Sequence, residues 1–220
     1  VSASVPKVID TCEDVTSAAV ALRSLGVETI LGYLNPLGQT YKVVTPARAR
    51  AIAKAGLRLG LISEGWGDFT HGSFTEVTGV RDAKNALKQA PLLGAPKGIT
   101  IYFAVDTDAT HGQLVVFLLG YFRSVRTTFA GMYNVGVYGS GAVCEALLDA
   151  QLADATMLAQ STGWLRSREF ALTNRWTLKQ LLPIRLAGVL CDPVEVQPGK
   201  SIGDFEPEIA LSPASAPLVS

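Results

Sequence analysis

The sequence holds few of the residues from which the commoner catalytic and structural devices are built. Only two histidines, His71 and His111, occur in 220 residues, each beside a glycine. A histidine-built metal centre or a Ser-His-Asp hydrolase therefore has no foundation, and both histidines read as solvated loop residues. Cysteine is equally scarce. Cys12, Cys144 and Cys191 are odd in number and far apart, which excludes a zinc ribbon or a CxxC redox site and leaves no need for a disulfide framework. Charge of one sign is missing too. The 19 basic and 19 acidic residues cancel, and no run of Lys or Arg makes a phosphate-neutralising face, so nucleic acid is not an expected partner. No apolar run approaches the ~20 residues of a membrane-spanning helix. The stretch from Leu114 to Tyr121 comes nearest, and it runs on into Arg123 and Arg126. No basic head followed by an apolar core opens the chain, so no signal peptide is visible. The opening Val-Ser-Ala-Ser-Val-Pro reads instead as a flexible stub left after processing. Export to the cell envelope or beyond is the expectation, with the signal peptide already removed.

What the sequence does have is alternation. Short apolar runs at Lys7 to Asp10, Thr29 to Tyr33, Leu57 to Ser63, Ile99 to Asp106, Val135 to Tyr138, Thr156 to Gln160, Trp176 to Gln180 and Gly188 to Cys191 read as eight strands. Amphipathic stretches between them read as helices. Thr16 to Leu25 follows Asp14, a candidate cap, and stops at Gly26; Pro46 to Ala55 follows Thr45 and stops at Gly56. Val77 to Ala90, Gln113 to Phe129 and Ala142 to Ala150 follow, and the sixth and seventh connections are short and irregular. An open sheet that binds nucleotides wants a glycine-rich turn after its first strand, and Ile9-Asp10-Thr11-Cys12-Glu13-Asp14 has no glycine. Polar residues fall instead at the carboxyl ends of nearly all strands, where barrels place their sites. The expected fold is a single compact α/β domain, a (β/α)₈ TIM-type barrel over residues 1–210 with some shortened helices. A flexible Ser/Pro/Ala-rich tail is expected at 211–220.

The strand ends carry Asp10, Tyr33, Glu64, Asp106, Asp108, Tyr138, Gln160, Gln180 and Asp192. A carboxylate beside an apolar strand is costly unless hydrogen-bonded or used. If the strand persists, alternation puts Asp106 and Asp108 on one face, roughly 6.5–7 Å apart. Glycoside hydrolysis needs two carboxyl groups, one protonated and one ionised, flanking the bond. It also needs apolar platforms for sugar faces, which Trp66, Trp164 and Tyr138 offer. Asp106, Glu64, Asp10 and Asp108 are thus the catalytic candidates; Tyr138, Trp66, Gln160, Trp164, Gln180 and Asp192 are the substrate-binding ones. Asp108 doubles as a candidate helix cap, and Asp192 precedes Pro193, which suggests a turn. Cys12 and Cys191 end neighbouring barrel strands, but alternation points Cys191 away from the Asp192 side, so no disulfide between them is expected.

With Ile101-Tyr102-Phe103-Ala104-Val105-Asp106-Thr107-Asp108-Ala109, then Gly136-Val137-Tyr138-Gly139, Gln160-Ser161, Lys179-Gln180 and Cys191-Asp192 in order, the chain resembles the bacterial glycoside hydrolase-like (Rv2525c-like) domain family. That family is related to the family 25 lysozymes, which are (β/α)₈ barrels. The resemblance runs from Asp10 to Phe205. It implies a peptidoglycan or related cell-envelope polysaccharide as partner; no cofactor, no metal and a monomeric state are expected. In the lysozymes the fourth strand ends Asp-x-Glu, the Glu being the general acid. Aligned on the apolar run, Asp106 takes the Glu position and Ala104 the Asp position; aligned on the acidic pair, Asp106 and Asp108 replace Asp and Glu. The first register is preferred because it keeps Tyr102-Phe103 in place within the strand. Asp10 and Asp192 correspond to the first-strand and last-strand Asp, and Glu64 is a candidate second carboxylate. Two functions follow: a hydrolase with Asp106 as general acid, or a catalytically reduced barrel that binds envelope glycan without cutting it.

Overall fold

The computed structural model describes residues 5–34, 42–69 and 72–208. His71 and the 211–220 tail lie outside the described residues. Nine strands form in chain order: β1 (Val8–Asp10), β2 (Thr29–Leu34), β3 (Arg58–Ser63), β4 (Thr100–Ala104), β5 (Asn134–Gly139), β6 (Ala155–Leu158), β7 (Leu178–Gln180), β8 (Ile184–Leu186) and β9 (Val189–Val196). Strands β1 to β7 are parallel neighbours, and β9 pairs antiparallel with both β7 and β1, which closes the sheet. Strand β8 pairs with β9 alone, as a hairpin.

The barrel is therefore closed, eight-stranded and mixed, which corrects the expectation of an all-parallel (β/α)₈ TIM-type barrel. The reason is local. Ala187 and Gly188 both have positive φ, 49° and 85°, the requirement of a two-residue hairpin turn whose twist matches its strands. A strand that leaves such a turn must run antiparallel, because a parallel return needs a crossover of a dozen or more residues. The expected turn at Asp192-Pro193 is absent. Strand β9 runs through it, with Pro193 opposite Ile9 and its carbonyl accepting from the Leu181 amide at 2.8 Å.

Six helical segments cover the barrel among the described residues: α1 (Ala19–Leu25), α2 (Pro46–Lys54), α3 (Glu76–Gln89), α4 (His111–Gln113) running through a π-helical turn (Leu114–Leu118) into α5 (Leu119–Phe129), α6 (Gly141–Asp149) and α7 (Ser167–Ala171). Thr45 caps α2 by accepting from the Arg48 amide, as expected. Asp14 does not cap α1. It accepts from the Thr16 amide (2.9 Å) and hydroxyl (2.6 Å) in a turn before the helix. Nor does Asp108 cap the helix after Ala109: Thr110 does, and His111 stands in the first helical turn rather than in a loop.

Alternation sorts the strand residues into two packed layers. Ile9, Ile30, Leu59, Leu61, Ile101, Phe103, Val135 and Val137 point outward into the layer shared with the helices. Val8, Leu31, Ile62, Tyr102, Ala104, Met157, Leu178 and Val194 fill the barrel interior. Tyr102 is fully buried there, its hydroxyl donating to the Ile202 carbonyl at 2.9 Å. A Cβ on Gly136 would stand 2.5 Å from the Tyr102 ring, so the glycine makes room for it. The same alternation, carried past this apolar filling, delivers Asp10, Tyr33, Tyr138 and Gln180 to the carboxyl-end mouth.

Candidate functional site

The mouth opens as a cavity of about 260 Å³ lined by Asp10, Cys12, Tyr33, Lys42, Ile62, Glu64, Ala104, Asp106, Tyr138, Gln160, Gln180 and Asp192. Its centre is an amide. Gln180 is buried, and its Nε2 donates to Asp10 Oδ2 at 2.9 Å and to Asp192 Oδ2 at 3.0 Å. Its Oε1 accepts from the Tyr138 hydroxyl at 2.9 Å. Carboxylates only accept, so this amide orientation is the one that satisfies all three partners. Asp10 and Asp192 are directly opposed across the β1–β9 ladder, and like charges so placed repel. The Tyr138 hydroxyl also approaches Asp106 Oδ1, at 3.4 Å. It has one proton, and the shorter contact to Gln180 takes it.

Burial decides the protonation of the pair. Asp10 is 2% exposed, and desolvation pushes its carboxyl up to about 7. The nearby Asp192 and Glu64 charges add to the rise, while the Tyr33 hydroxyl and the Gln180 amide oppose it. Its Oδ1 is buried without a partner in hydrogen-bonding geometry among the described residues. Asp192, half-buried, is raised as well, again by desolvation. Asp10 feels the Asp192 charge, so Asp192 ionises first and Asp10 holds its proton towards neutral pH. The Tyr33 and Tyr138 hydroxyls, raised chiefly by burial, stay protonated.

The remaining candidates part company. Glu64 is engaged by Lys42, Nζ to Oε2 at 2.8 Å. Asp106 is exposed and faces the cavity beside it: a Cβ on Gly67 would stand 3.0 Å from Asp106 Cβ and 3.5 Å from Glu64 Oε1. Asp108 does not line the cavity. Strand β4 ends at Ala104, so the alternation that would have set Asp108 beside Asp106 lapses, and Asp108 accepts from the Leu165 amide at 2.7 Å. Trp66 and Trp164 sit in the loops after β3 and β6 and do not line the cavity either. Sequence reasoning missed Cys12, Lys42 and Ile62 as lining residues. Ile62 is reachable by alternation from Gly60, but Lys42 lies in a connection with no periodic signal. The three cysteines are free: Cys12 exposed, Cys144 and Cys191 buried.

Residues 20–184 match the family model described as "Rv2525c-like, glycoside hydrolase-like domain". The chain belongs to this family. Two proteins of Bacillus subtilis (strain 168) are similar in sequence. "Uncharacterized protein YbfG" is 32% identical over 186 residues, 78% of this chain and 25% of that one. "Uncharacterized protein FadG" is 30% identical over 184 residues, 79% of this chain and 32% of that one. The chain thus spans about a quarter to a third of the length of these relatives. Among solved structures, the Mycobacterium tuberculosis Tat-secreted protein Rv2525c in complex with L-tartrate is 17% identical, with a TM-score of 0.73 over 91% of this chain and 99% of that one. The bacterial lysozyme from Streptomyces coelicolor is 12% identical, with a TM-score of 0.54 over 91% and 95%. These likenesses establish kinship with the glycoside hydrolase and lysozyme barrels at the level of fold.

The glycoside hydrolase-like domain thus presents hydrogen-bond acceptors at Asp106, Glu64 and Asp192, donors and acceptors at Gln160 and Tyr138, and in its floor the Asp10 carboxyl, whose proton affinity is raised.

Proposed function

We propose that the domain binds a polysaccharide of the cell envelope in its mouth cavity and does not cleave it. The observation that carries this reading is the Gln180 bridge. It locks Asp10, the carboxyl of raised proton affinity, into the floor of the barrel, and Glu64 is tied to Lys42. Hydrolysis needs an acid that reaches the glycosidic oxygen and an ionised partner on the other side of the bond. Asp106 is the carboxyl that reaches outward, and Ala104 stands where the preferred register would place its helper. What remains is a preorganised polar cup with tyrosines in its wall. One feature supports action outside the cytoplasm: a protein of the same fold is described as Tat-secreted.

The hydrolase reading has one observation in its favour, the Asp10 carboxyl pushed up to about 7, in the range of a general acid at neutral pH. A cell-wall pull-down followed by product analysis separates the two. The purified domain and its Asp106→Asn variant should both be retained on peptidoglycan and release no new reducing ends. Reducing ends released by the wild type would refute the binding reading, and their loss by about 10² to 10⁴-fold in Asp106→Asn or in Asp10→Asn would say which carboxyl is the acid.

A further inference from the structure

Beside the carboxylate cavity the mouth carries a second hollow, of about 470 Å³, and Gln160 and Gln180 belong to the walls of both. Its other walls are mostly apolar, supplied by Leu158, Ala171, Leu172, Leu181 and Leu182. Leu172 is 88% exposed and Leu182 is 75% exposed. The cause lies in the fold. In a barrel with a helix after every strand, the outer flank of each strand is covered. Here α7 has five residues, and the chain leaves β7 for a hairpin instead of a helix, so the flank beside the ends of β6 and β7 stays open. The exposed Arg168 also lines the hollow, as does Lys179, whose ammonium is held by Glu195 at 2.6 Å and lies 4.9 Å from the centre of the Trp176 ring. What Lys179 offers the groove is its methylene stem.

We propose that this groove takes the alkyl chain of an amphiphilic glycan whose saccharide occupies the carboxylate cavity. The proposal rests on the glycan reading above and adds the apolar half of the ligand. Adjacency supports a single ligand: Gln160 and Gln180 stand in the walls of both the polar cavity and the leucine-lined hollow, so a chain attached to a saccharide in the first need pass only these two side chains to reach the second. Shape supports a chain. The hollow is concave and small, whereas a stable protein partner wants on the order of 1,000 Å² of complementary surface.

The test is a calorimetric titration of the domain with methyl, butyl, hexyl and octyl N-acetyl-β-glucosaminide, each below micelle formation. The Kd should fall about two- to fourfold per added methylene until the groove is full, with an increasingly negative heat-capacity change. In the Leu172→Asp, Leu182→Asp double variant the methyl glycoside should bind as before, while the dependence on chain length disappears. Both residues are too exposed for the change to threaten folding, and equal methyl-glycoside affinity checks this. A methyl glycoside that binds in a series with constant Kd would overturn the groove proposal and leave the glycan reading standing. If no member binds, the glycan reading itself fails and takes the proposal with it. A wild-type dimer in sedimentation that the double variant splits would assign the groove to a second copy of the chain, and would likewise overturn it.

Discussion

Replacing Asp10 with asparagine should make the domain more stable at neutral pH, and the gain should vanish in acid. The carboxyl has an ordinary value of 3.8 and is pushed up to about 7 in the folded barrel, first by burial. A carboxyl raised on folding binds its proton more tightly in the native than in the unfolded state. Its contribution is therefore fully present below pH 3.8 and is lost as pH rises towards 7, at about 1.4 kcal/mol per pH unit. Over roughly three units the wild type should lose about 4 kcal/mol relative to Asp10→Asn, the difference levelling off as pH passes through about 7. Asparagine stays neutral throughout, is nearly isosteric, and can still accept from Gln180 through its carbonyl oxygen. Urea denaturation followed by circular dichroism at pH 4, 5, 6, 7 and 8 measures the difference. Other titrating groups, such as Asp14, lowered by its bonds to Thr16, occur in both proteins and largely cancel. A difference curve that is flat from pH 4 to pH 8 would refute the account, as would one that rises in favour of the wild type.

Gln180→Leu should destabilise the fold by at least about 3 kcal/mol and abolish binding to peptidoglycan, because it strands Asp10, Asp192 and the Tyr138 hydroxyl without their shared partner. Retained binding in a calorimetric titration would remove the amide from the centre of the site. Gly136→Ala should cost about 1–3 kcal/mol in urea denaturation, since its methyl would stand 2.5 Å from the buried Tyr102 ring, whose hydroxyl is tied to Ile202. An unchanged denaturation midpoint would mean that the interior layer is looser than described.

Much of the framework was legible in the residues because strand alternation is a local rule. Once Ile101-Tyr102-Phe103-Ala104 is read as a strand, Tyr102 and Ala104 must share a face, and the next residue on that face is Asp106. The same step leads from Val8 to Asp10 and from Leu178 to Gln180, which is how the mouth could be assembled on paper. The mixed closure was within reach as well. Seven residues separate Gln180 from Gly188, too few for a parallel crossover, and Ala187-Gly188 is a hairpin turn. Counting eight apolar runs without weighing the length of the last connection hid the reversal, and with it the open flank beside β7.

Other features belong to the tertiary structure alone. Gln180 meets Asp10 across 170 positions of sequence, and Asp108 is diverted to Leu165 across 57. Glu64 is occupied by a lysine from an irregular connection. No local pattern encodes such meetings, because they depend on which strand closes the ring opposite which. The protonation of Asp10 is decided there too: its sequence neighbours make it a strand-end aspartate like Asp106, and only the closed wall of β9, with Asp192 facing it, removes its water and raises its proton affinity.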